Sequence, residues 1–145
     1  MARALVVFAA ASLLVILARV AFDVPWSGGV ISWMAMLAAG TGAFAAIGFA
    51  IAALARAPHV ANMMANLVFI PMMALGGIAL PATMMPASWA EVYWVLPVAT
   101  IANGLMGAFV GGDTVVDNLP RLGYLAAWTA VAGAFGAHRW SRRAP

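Results

Sequence analysis

Apolar residues in this chain come in long unbroken runs, without the alternation of a half-buried strand. The first run covers residues 4–22, after which Pro25, Gly28 and Gly29 interrupt it. A second run extends from about Val30 to Ala55 and stops at Arg56. At ~1.5 Å per residue a helix of that length exceeds the ~30 Å hydrocarbon core of a bilayer, so it tilts or protrudes. A short connection through Arg56, Pro58 and His59 leads to a third run, about 60–80, and a fourth covers about 120–138. The pattern predicts an all-α integral membrane protein with about four transmembrane helices, in a single transmembrane domain over residues 1–145.

Residues 81–112 break this pattern. They are apolar, yet Pro81, Pro86, Pro97 and the pair Gly111-Gly112 cut them into short pieces. Helices over 88–96 and 98–110 reach only ~15–20 Å, too little to span. We expect a re-entrant or interfacial helical hairpin over about 87–112. Such breaks are tolerated at membrane depth only where protein or a wet cavity satisfies the backbone.

Charge then gives the runs a direction. Arg3 precedes the first run, Arg56 and His59 lie between the second and third, and Arg139, Arg142 and Arg143 follow the last. With four spans, all of these fall on one side. Asp23, Glu91, Asp113 and Asp117 fall on the other. The positive-inside rule makes the arginine side cytoplasmic, with both termini inside. Trp26, Trp33, Trp89, Tyr93, Trp94 and Tyr124 then form an outer aromatic belt, and Trp140 marks the inner interface. Arg19 and Arg121 are exceptions that snorkel outward. Arg3 before an apolar run also resembles a signal peptide. The best cleavage point, after Ala21, puts Arg19 at −3, so an uncleaved span is preferred.

Small residues recur every four positions in two places. Ala38, Gly42, Ala46 and Ala50 lie on one face of the second span, and Ala126, Ala130 and Ala134 on one face of the last. Such seams let helices approach closely in lipid.

Composition narrows the function. Of 145 residues, 66% are hydrophobic and 8% charged, against about 25% charged in a soluble domain. All seven basic residues are Arg and form no basic stripe, so no nucleic-acid partner is expected. There is no cysteine, which excludes disulfides and thiol chemistry. No Asp or Glu lies within the four spans, as an ion-coupled relay needs. There is no phosphate-binding glycine-rich loop, no HExxH, and no serine with a visible histidine base, so the chain is not expected to be an enzyme. The ten methionines are read as adaptable apolar filler, since no His-Met cluster supports copper transfer. Asn62 and Asn66 stand one turn apart at the start of the third span, as interhelical glue or path lining.

Residues 48–105 carry a more specific order of parts. A glycine- and alanine-rich span ends at Arg56. A short loop leads to an Asn-containing span with internal Pro71. Gly76-Gly77-Ile78-Ala79-Leu80-Pro81 follows, then Met85-Pro86-Ala87-Ser88-Trp89, then Leu96-Pro97 opening a short helix. This order resembles the C-terminal portion of a type-2 ATP-binding-cassette (ABC) exporter permease.

The resemblance implies a transmembrane permease subunit, or part of one, in the plasma (inner) membrane. ATP and Mg would be bound by a separate nucleotide-binding ATPase subunit, and no cofactor by this chain. A second permease copy or a homologous permease would complete the path. It implies an outer gate built around the hairpin, with Pro81, Pro86, Trp89, Glu91, Pro97 and Asn103 as candidates. It also implies an ATPase-contact loop at Arg56, Pro58 and His59. The family exports drugs, antibiotics, polysaccharides or lipid-linked compounds. The apolar bundle, which lacks a charged clamp, favours a hydrophobic or amphipathic cargo. Two departures stand out. The family has six spans, so its first two would precede Met1. Asn103-Gly104-Leu105-Met106 replaces the acidic or basic residue that follows the family's re-entrant Leu-Pro. The alternative is a non-transporting assembly or accessory subunit.

Overall fold

In a computed structural model, the residues described are 6, 9–10, 12–14, 16–17, 20–21, 29–76, 93 and 95–142. Every regular element among them is helical. The described positions between 6 and 21 are helical and nearly all exposed. Four further helices follow: α1 (Val30–Leu54), α2 (Pro58–Leu75), α3 (Pro97–Met106) and α4 (Leu119–Ser141). A π-helical turn, Gly107–Gly111, continues α3.

Punctuation in the sequence sets these limits. Pro58 and Pro97 each open a helix, where a missing N–H leaves no bond unmade. Leu96, before Pro97, is extended, as a residue preceding proline prefers. Gly112 closes the π turn with φ 77°, a left-handed conformation that glycine adopts without strain. Pro71 lies inside α2, which continues through it.

α1 and α2 are long and apolar enough to cross a membrane by length and composition. α4 has 23 residues, about 34 Å at ~1.5 Å per residue, but is less apolar. The hairpin expected over 87–112 lies mostly outside the described residues in its first limb. Among the described residues, that range holds α3 and the π turn.

α1 is the central element. Buried Trp33, Met36, Leu37, Ala43, Ile47 and Ile51 trace a stripe at three- and four-residue spacing. At the start of α1, Trp33 and Leu37 meet Ala108, with Leu105 and Phe109 alongside. In the middle, Met36 and Ala43 meet Leu125, which is 0% exposed. Towards its end, Ile47 and Ile51 meet Ala132 of α4 and Met64, Ala65 and Phe69 of α2. The Phe44 and Phe69 rings lie 5.6 Å apart. α4 therefore runs parallel along α1, start beside start and end beside end, α3 covers the first half of α1, and α2 touches its second half. Within the helices, Thr41 and Thr129 hydroxyls donate to the carbonyls of Leu37 and Leu125 (2.7 and 2.8 Å), which satisfies them without a second helix.

The small-residue seams are half realised. Gly42, Ala46 and Ala50 are partly buried, but Ala38 is exposed. On α4 the predicted face is turned outward: Ala126, Ala130 and Ala134 are all exposed. The contact face carries Leu125, Thr129, Ala132 and Gly136 instead. A Cβ on Gly136 would lie 2.5 Å from Phe49 Cδ1 and 3.3 Å from Ala50 Cα, so the two helices pass too close here for a larger residue.

Candidate functional site

Charged groups separate to the two ends of the helix bundle. Arg56, Arg139 and Arg142 gather where α1 and α4 end. Asp113 and Asp117 lie in the loop between the π turn and α4. We call these the basic and the acidic end.

At the acidic end the polar groups form one connected network. Asn118, at the cap position of α4, does not cap that helix with its side chain. Its Nδ2 donates to Ser32 Oγ in the first turn of α1 (3.0 Å), and both residues are buried. Its Oδ1 accepts from the Arg121 guanidinium (2.6 Å), which also pairs with Asp113 Oδ2 (3.0 Å). Arg121 therefore has a carboxylate partner and does not merely snorkel. Asp113 is held in turn by its own N–H, which donates to Gly107 O (3.0 Å). A Cβ on Gly107 would sit 2.1 Å from Asp113 Oδ2, so only glycine permits this approach.

Asp117 accepts from the Thr114 hydroxyl (2.7 Å) and the Thr114 N–H (2.8 Å), closing the turn that leads into α4. The hydroxyl bond first, and the backbone bond second, hold its carboxyl below the ordinary 3.8.

The candidate gate is described only in part. Pro81, Pro86, Trp89 and Glu91 lie outside the described residues. Pro97 is buried at the start of α3. Asn103 Nδ2 donates to Tyr93 OH (2.7 Å) and to Ala99 O (2.8 Å), tying α3 to the segment that precedes it. The Tyr124 hydroxyl of α4 donates to Val95 O in the same segment. Two phenols therefore fasten Tyr93 and Val95 to α3 and α4 respectively.

At the basic end, Arg56, Pro58 and His59 are all exposed in the link between α1 and α2 and the first turn of α2. Asn62 and Asn66 are exposed on α2. They are not on the face that meets α1, which is formed by Met64, Ala65 and Phe69.

The sequence did not single out Asn118, gave no partner for Ser32, placed Tyr124 only in the aromatic belt, and placed Arg121 without its partner. The one available signal was a pair of opposite charges, Asp113 and Arg121, flanking Asn118 and Pro120 in a turn-rich stretch.

Residues 1–110 match the sequence model of a family described as ABC-2 type transporter. No curated protein matches the chain, and no solved structure does.

Proposed function

This chain belongs to the ABC-2 type transporter family, whose members are membrane components of transport and not enzymes in themselves, and from that premise we propose that it is the permease part of an ATP-driven exporter in the plasma membrane. The observation that carries the reading is the family match over residues 1–110. It is supported by the separation of charge between the two ends.

In this proposal the basic end faces the cytoplasm, and four spans place both termini there. A separate nucleotide-binding ATPase, holding ATP and Mg, docks on the exposed link through Pro58 and His59, with Arg56 beside them. Asn62 and Asn66 face a second permease, where amides at membrane depth find hydrogen-bond partners. Ala126, Ala130 and Ala134 offer a further smooth face for close approach.

The outer gate lies at the acidic end. Pro81, Pro86, Trp89 and Glu91 join Pro97 and Asn103 in it. The Asn103–Tyr93 and Tyr124–Val95 bonds make α3 move with α4, and the Asn118–Ser32 bond links α4 to α1. A tilt of the spans driven at the basic end then reaches the gate as motion of one rigid unit. The cargo is hydrophobic or amphipathic, because the bundle offers apolar surface and no charged clamp.

Since the chain has no cysteine, a single introduced one is a unique probe. In native membranes, His59→Cys is expected to cross-link to a nucleotide-binding subunit, and Val116→Cys at the acidic end is not. Equal cross-linking from both positions, or from neither while the chain is labelled normally by a thiol reagent, contradicts the docking site.

A further inference from the structure

Between the ends of α1 and α4 lies an open cleft of about 380 Å³, lined by Ala53, Leu54, Arg56, Arg139 and Arg142. We propose that this cleft binds the phosphate of an anionic phospholipid. The inference rests on the chain being a membrane protein and is independent of what it transports.

The volume falls within the ~300–1,000 Å³ of small-ligand pockets. Charge decides the ligand's sign. Three guanidiniums line the cleft, whereas the C-terminal ends of α1 and α4 each contribute about −0.5 of a charge. The balance is roughly +2 in favour of an anion. The described carboxylates do not offset it: Asp113 and Asp117 lie at the opposite end, and Asp113 is paired with Arg121. Guanidinium suits phosphate because its planar fork donates two parallel hydrogen bonds.

The surroundings favour a lipid over a free phosphate. The face of α4 leading away from the cleft is apolar and exposed, with Phe135 at 44% and Val131 at 68%. The Arg139 guanidinium lies 5.8 Å from the centre of the Phe135 ring, so the charged cleft and the apolar face are continuous. Trp140, 57% exposed, stacks loosely on Phe49 with ring centres 6.2 Å apart, an aromatic at headgroup depth. A headgroup on the arginines lays its acyl chains along Phe135 and Val131. Free phosphate uses only the arginines. Basic pockets between spans at the membrane surface are suited to such headgroups.

The test is native mass spectrometry of the full chain in mild detergent, with equal amounts of dioleoylphosphatidylglycerol and dioleoylphosphatidylcholine. The wild type is expected to retain phosphatidylglycerol on the order of tenfold more often, since each surface arginine adds to anionic-lipid affinity. The triple variant Arg56→Gln, Arg139→Gln, Arg142→Gln is expected to bring the two lipids to parity, and Arg3→Gln to leave the preference intact. Arg56→Gln alone, in an exposed link, is expected to lower the preference several-fold, and it carries the test should the triple variant fail to fold. The proposal is overturned if these variants keep the wild-type preference, or if Arg3→Gln lowers it as much as Arg56→Gln. It is also overturned if inorganic phosphate binds with the same arginine dependence while the wild type shows no lipid preference. Loss of a bound ATPase subunit from the triple variant, with lipid preference unchanged, reassigns the cleft to a protein contact.

Discussion

Asn118 joins two helices and a loop through a single amide. Its NH₂ serves buried Ser32 and its carbonyl serves Arg121. Removing it leaves a buried hydroxyl and a guanidinium short of a partner, so Asn118→Ala is expected to destabilise the chain by about 1–3 kcal/mol. The Arg121–Asp113 pair has side chains 35% and 29% exposed. Exposed pairs of this kind contribute about 0–1 kcal/mol, so Arg121→Gln is expected to do less damage than Asn118→Ala. Thermal unfolding in detergent ranks the two, and the reverse order contradicts this account. Asp117 gives a pH dependence of known sign. Its carboxyl is held below the ordinary 3.8 by Thr114. The turn's contribution is therefore full above that value and is lost as pH falls through the lowered one. An NMR titration of labelled aspartate is expected to show the Thr114→Val variant moving Asp117 back up towards 3.8. An unmoved value rules out the Thr114 bonds as the cause.

Between elements, the α1–α4 contact depends on which face of α4 turns inward. Gly136→Leu drives a side chain into Phe49 and Ala50, and overpacking of this kind costs about 1–3 kcal/mol. Ala130→Leu points outward and is expected to leave stability of the isolated chain unchanged. If both variants unfold alike in detergent, the assigned contact face is wrong. Helix limits were legible in the sequence because Pro58, Pro97, Gly112 and Pro120 punctuate it. The contact face of α4 was not, because residues 126–137 carry alanine or glycine on every side. The choice falls to Leu125, Trp128 and Ala132, whose partners lie on α1 and are invisible to a local reading. The polar network was hidden for the same reason, since Ser32 and Asn118 are 86 positions apart.

Across the whole molecule, the described Arg56, Arg139 and Arg142 lie at one end and Asp113 and Asp117 at the other, where Arg121 is paired with Asp113; in the proposed orientation the first three arginines face the cytoplasm. In the proposed function the basic end is where a soluble ATPase docks, and the proposed lipid cleft lies there too. The acidic end is where bonds between α1, α3 and α4 converge. Exposed Asn62, Asn66 and the alanine face of α4 leave polar and smooth surfaces for neighbouring subunits. In the proposed function this chain is a permease driven by a separate ATPase. Purification of the tagged chain from native membranes in mild detergent tests it most directly. A nucleotide-binding subunit is expected to accompany it in stoichiometric amount, with ATP hydrolysis in the eluate. A folded chain that repeatedly elutes without any nucleotide-binding subunit, even after cross-linking in the membrane, contradicts the claim.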